Sequence, residues 1–182
     1  MAPTTGVTRK SDREQKEYHR DIESKLNSND TVFDLLKRDH REIQRLCELI
    51  LKRNKKPLPE KKISFHELKE LVTAHAKAEE AVFYEPLRTA CRIKGDDKGL
   101  DQVLEGFEEH HVAELLLNEI SMIDVSDERF FPKMKFLSET LDHHIQLEES
   151  TIFKVAKKDF EKTIPKRMAP QFIREKEYFY KH

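Results

Sequence analysis

Two stretches of the chain, "HAKAEE" and "HIQLEE", each set a histidine four residues before a glutamate, giving His75 with Glu79 and His144 with Glu148. Residues four apart on a helix stand one above the other, so each pair is a two-pronged ligand facing one way. Two further histidines, His40 in "RDH" and His110 in "EEHH", fall on apolar stripes of their own. Left in a hydrocarbon core without partners, such groups cost several kcal/mol each, and neighbouring carboxylates also repel. Cations held between facing helices satisfy the whole set, which is how helical bundles build metal sites.

Four imidazoles and two carboxylates are more donors than one tetrahedral zinc uses. A nitrogen-dominated set without thiolate suits iron, and also manganese or zinc, and argues against calcium and magnesium. Glu79 and Glu148, on different helices, can each bridge two ions, with an oxo or hydroxo group completing the core. The expected cofactor is therefore two iron ions in a non-haem di-iron centre. Each ion holds two histidines and both carboxylates, with positions left open for oxygen or another small ligand. The competing account is a buried polar network that satisfies itself without metal.

The neighbours of these residues are read differently. His111 and His143 point about 100° away around the helix from His110 and His144. Counting from His110 meets Val103, Phe107, Ala113 and Leu117, whereas counting from His111 meets Glu108, Leu115 and Asn118. The stripe thus favours His110, with His111 and His143 at helix flanks. Glu114 makes a third His-x-x-x-Glu with His110; ordinary surface glutamate is the first reading and ligation the alternative. Glu80 and Glu149 read as solvated, with support of a ligand from behind as the alternative, and His19, His66 and His182 as surface residues.

Four helices are needed to position the six. The first opens near Asp30 or Thr31 and aligns Phe33, Leu36, His40, Ile43, Cys47 and Ile50. After the proline-bearing "NKKPLPEKK", a second opens at "SFHEL" with Ser64 and Glu67 as a capping box. It carries Leu68, Leu71 or Val72, His75, Glu79, Val82 and Phe83. Pro86 should kink or end it, and "KGDDKG" stops it. The third carries Val103, Phe107, His110, Ala113, Leu117 and Ile120. The fourth, with Pro132 in its first turn, aligns Met134, Leu137, Leu141, His144, Glu148, Ile152 and Val155. The expected fold is all-α, an antiparallel up-down-up-down four-helix bundle. Phe33, Phe83, Phe107, Ile152 and Phe153 read as core, walling the site from water.

An internal repeat supports this layout. "DHREIQRLCELI" lies over "EHHVAELLLNEI" and "HAKAEEAVFY" over "HIQLEESTIF", matching His40 with His110, His75 with His144 and Glu79 with Glu148. His40 and His75 are separated by 35 residues, His110 and His144 by 34. Two helix pairs then face one another across a pseudo-twofold axis.

The ordered set H, HxxxE, H, HxxxE resembles the hemerythrin-like HHE cation-binding domain over roughly residues 30 to 157. That resemblance implies a four-helix bundle around two irons that binds oxygen reversibly, senses oxygen, nitric oxide or iron, or handles iron and peroxide. Hemerythrins that carry oxygen place a further histidine on the third helix, one turn from its partner; here those positions are Gly106 and Glu114. Dedicated oxygen transport is therefore disfavoured.

Composition bounds the rest. The chain has 182 residues, enough for one domain, and a formal net charge of −1, which gives no global case for nucleic acid or an anionic membrane. No segment approaches the ~20 apolar residues that span a bilayer. Two widely separated cysteines and an N-terminus without an apolar run lead to a soluble, cytoplasmic expectation. The organisation read from the sequence is a polar extension at 1–29, the bundle at 30–158 and an irregular, aromatic, proline-interrupted tail at 159–182. The functional expectation is a metal-binding protein for O2, NO, peroxide or iron. The rivals are a di-iron enzyme (ferroxidase, peroxidase or NO reductase) and a metal-stabilised interaction module that meets a protein partner through the tail.

Overall fold

The computed structural model describes residues 26–27, 29–52 and 58–181. The polar extension up to residue 25, with His19, and the terminal His182 fall outside them. Among the described residues every regular element is helical. In chain order these are α1 (Val32–Leu51), α2 (Leu58–Glu79), a first π-turn (Glu80–Tyr84), α3 (Glu85–Lys94), α4 (Asp97–Ser121), α5 (Phe130–Leu147), a second π-turn (Glu148–Ile152), α6 (Phe153–Asp159) and α7 (Ile164–Lys181). Each π-turn joins its flanking helices into one rod, α2 to α3 and α5 to α6. No helix of the described residues is long and apolar enough to cross a membrane.

Local chemistry sets the ends. Thr31 caps α1, its backbone N–H donating to Asp34 Oδ2 at 2.9 Å. Gly95 ends α3 with φ 65°, a left-handed conformation that glycine adopts without a Cβ clash. Asp96 then starts α4 by accepting from the Gly99 N–H at 3.2 Å.

Two expectations are corrected and a third, at Pro86, is narrowed. Ser64 is no cap: α2 begins six residues earlier, at Leu58, and Ser64 is buried inside it. Pro59 sits in that first turn, where its missing N–H is one that no helix uses, so it opens the helix instead of breaking it. Pro86, expected to kink or end the second rod, does not end it: the rod runs on to Lys94, and Gly95 of "KGDDKG" stops it as expected. The π-turn just before Pro86, closed by Glu85 N–H to Glu80 C=O, shifts the backbone register where the proline ring approaches. The second π-turn contains no proline, so the device belongs to the Glu-Glu positions of both halves. The tail, finally, is not irregular, because residues 164–181 form α7. Pro165 lies in its first turn, and Pro165, Met168, Ala169 and Phe172 make a buried stripe that outweighs the interior Pro170.

α1 packs on α2 and α5, α4 packs on α3 and α5, and α7 lies along α2 and α1. The apolar interior is split in two. One cluster contains Phe33, Leu36, Phe83, Tyr84, Val103, Ile152 and Phe153; the other contains Ile43, Val72, Ala113, Leu117, Leu141 and Ile145. Along every rod the histidine falls where the stripe passes from one cluster to the other. The polar residues therefore form a single layer between two greasy plugs.

Candidate metal centre

The structure buries all six singled-out residues. Glu79 and Glu148 are 0 % exposed, and His40, His75, His110 and His144 are at most 7 % exposed. His40 Nε2 lies 3.0 Å from Glu148 Oε2, and His75 Nε2 lies 3.4 Å from Glu79 Oε2. His110 Nε2 is 3.3 Å from the same Glu79 oxygen and 3.2 Å from His144 Nε2. Glu79 thus reaches histidines of both halves. Ligand atoms of Glu79, His110 and His144 all lie within 4.8 Å of one another, the separation expected around a single cation. His111 is exposed, as is Glu114, whose carboxylate faces Lys77 at 3.4 Å.

The outer nitrogens explain how the imidazoles are aimed. Asp39 Oδ2 lies 3.1 Å from His75 Nδ1, Glu149 Oε1 2.8 Å from His40 Nδ1, Glu80 Oε1 3.1 Å from His110 Nδ1, and Glu109 Oε2 2.8 Å from His144 Nδ1. A carboxylate can only accept, so each Nδ1 carries a proton, and Nε2 is the nitrogen each ring turns inward. Carboxylate-backed histidines are the usual supports of bound metals, fixing the tautomer and raising ligand basicity. Glu80 and Glu149 are partly exposed and take the second of their two readings, each supporting a histidine from behind. Asp39 and Glu109 were not singled out in the sequence, although the repeat aligns them. Glu80 and Glu149 also cross between halves, each backing a histidine of the opposite helix pair.

Electrostatics follow from this burial. Burial pushes His75 down to about 4 and also lowers His110, so both stay neutral imidazoles near neutral pH. Burial opposes the charge on His40 as well, but Glu148 and Glu149 beside it outweigh that and raise it. Burial and the facing Glu148 push Glu79 well above the ordinary carboxylate range. Two buried carboxylates this close cannot both ionise without a cation between them.

The fit to a metal rests on unmet bonding. His40 Nε2, His75 Nε2 and both oxygens of Glu79 and of Glu148 are buried with no hydrogen-bond partner of good geometry. Native interiors leave few such atoms, and here six converge on one layer. A self-satisfying polar network would have paired them.

A helical interior that aims imidazole nitrogens and carboxylate oxygens at common points is a cation-binding bundle. The chain belongs to the hemerythrin family: the model of the hemerythrin HHE cation-binding domain matches residues 31–156. No curated protein and no solved structure matches it. The matched span ends before α7.

Proposed function

We propose that this is a non-haem di-iron protein that binds or senses a small molecule such as O2, NO or peroxide, or iron itself. In this reading its four long rods run antiparallel, up-down-up-down. His40 and His75 hold one ion, His110 and His144 hold the other, and Glu79 and Glu148 serve both. The observation that carries the reading is the set of inward, unpartnered Nε2 and carboxylate atoms between two apolar clusters. Iron in such a set supplies reversible redox and open positions for small ligands. The protein keeps His75 and His110 neutral by burial, hydrogen-bonds each Nδ1–H to an outer carboxylate and excludes water.

Size limits what reaches the site. A cavity of about 20 Å³ touches His40, His75, His110 and His144 and is walled mostly by aliphatic side chains such as Ile43, Val72, Leu141 and Ile145, with Glu109 and Thr140 beside them. That volume admits roughly one water-sized molecule. A space that small favours a ligand of very few atoms over a metabolite.

The test is to load the protein with iron, reduce it without air, admit oxygen or nitric oxide and follow the visible spectrum. Absorption that develops with the gas and fades on its removal supports a binder or sensor. Rapid, irreversible oxidation with turnover of peroxide or nitric oxide supports the enzymatic alternative. Protein that takes up no iron removes both.

A further inference from the structure

The two halves match at every proposed ligand, and among the positions beside them where they differ, two exchanges belong together. The repeat that aligns His75 with His144 places Tyr84 opposite Phe153, and the one that aligns His40 with His110 places Gly106 opposite Leu36. One half thus has a phenylalanine and a leucine; the other has a phenol and a glycine. In the structure those two exchanges are one feature. A Cβ on Gly106 would lie 2.7 Å from Tyr84 Cε2 and 2.8 Å from Tyr84 Oη. The space vacated by the missing side chain is where the hydroxyl sits.

That hydroxyl is idle by ordinary accounting. Tyr84 is 0 % exposed and its Oη is buried with no hydrogen-bond partner. Buried tyrosines nearly always find one, and a phenylalanine would have filled the core at less cost. The π-turn after Glu79 brings the neighbours Phe83 and Tyr84 inward together, both 0 % exposed. Tyr84 then stacks on the His110 ring, with centroids 5.3 Å apart and planes 3° from parallel. Gly106 lies one helical turn before His110, on the same face. The His110 Nε2 lone pair lies in the plane of its ring, and the phenol lies in the layer stacked above. Tyr84 thus lies against the face of the His110 ring, close enough to feel the charges of Glu79 and Glu148.

We propose that Tyr84 is a hydrogen-bond donor to the small ligand held at the His110–His144–Glu79 position, and that Gly106 is the accommodation for its hydroxyl. The inference rests on the di-iron reading above. It makes the two ion positions chemically unequal: one has a buried proton donor at hand, whereas its counterpart faces Phe153 and Leu36. Anionic or oxygen-derived ligands then favour the first.

The test uses azide on the iron-loaded, oxidised full-length protein, comparing wild type with Tyr84→Phe. Metal analysis comes first, and two irons per chain in both proteins establish that the site itself is intact. The variant is expected to bind azide about 10- to 100-fold more weakly, the loss of one hydrogen bond to a charged acceptor. Its azide-to-iron absorption should also shift, and the effect of heavy water on the wild-type vibrational spectrum of bound azide should vanish. A hydroxyl that merely fills space predicts unchanged azide affinity and spectrum, with a higher melting temperature for the variant; that result overturns the proposal. A phenolate-to-iron absorption in the resting wild type, lost in the variant, overturns it too by making Tyr84 a ligand. Wild-type protein without iron would instead defeat the underlying reading, before any azide is added.

Discussion

Asp39 holds the Nδ1 of His75 at 3.1 Å through one oxygen, while its other oxygen is paired with Lys176 from α7. Burial works against the charge on Asp39, but His75 and Lys176 outweigh it and keep the carboxyl below its usual range. The Phe172 ring of the same helix meets His75 edge-on at 6.1 Å. The terminal helix thereby supports one histidine of the candidate centre from outside the matched domain.

Removing an outer carboxylate should loosen the metal without abolishing the site. Asp39→Ala and Glu109→Ala are each expected to lower iron affinity about 10- to 100-fold, with two ions still bound at saturation. Competition against a chelator measures this. Unchanged affinity in both variants would mean that the Nδ1 contacts do not orient the ligands.

Truncating the α7 anchor should cost both fold and site. Phe172 is 1 % exposed, and Phe172→Ala is expected to cost about 3–5 kcal/mol in urea unfolding. Iron affinity should fall alongside, since the apolar wall behind His75 is lost. Full stability in the variant would show that α7 is not docked on α2 as described.

Stripping iron should destabilise the chain. At free iron about a thousandfold above its dissociation constant, binding contributes roughly 4 kcal/mol, which for a chain of this size is on the order of ten degrees of melting temperature. Calorimetry with and without chelator checks it. Identical melting curves would support a polar layer that needs no cation.

Filling the slot at Gly106 should be felt immediately. Gly106→Ala puts a methyl against the buried Tyr84 ring, which nothing nearby can relieve cheaply, and about 1–3 kcal/mol of overpacking is expected. Denaturant unfolding measures it, and a neutral substitution would mean that Tyr84 is free to swing away.

Much of this was legible in the sequence, and the limits have physical causes. The stripe residues from Phe33 to Val155 were readable because burial imposes helical spacing, and the histidines stood out by interrupting it. Asp39, Glu80, Glu109 and Glu149 were harder, since each sits beside a stripe position and charge at a flank ordinarily means solvent. Only the repeat, which pairs Asp39 with Glu109 and Glu80 with Glu149, carried their signal. The prolines misled for a reason of position. Pro59 and Pro165 lie in first turns, where a missing N–H costs nothing, and Pro86 follows a π-turn that local propensity does not announce. Tyr84 carried no signal of its own in the sequence; its unpartnered hydroxyl shows only in three dimensions.

The central claim is that the six buried side chains share two iron ions, and anomalous diffraction at the iron edge from crystals of iron-loaded protein tests it most directly. Two adjacent peaks are expected within the layer, one bordered by His40 and His75, the other by His110 and His144, with Glu79 and Glu148 reaching both. A single peak, or none between those residues, would contradict it.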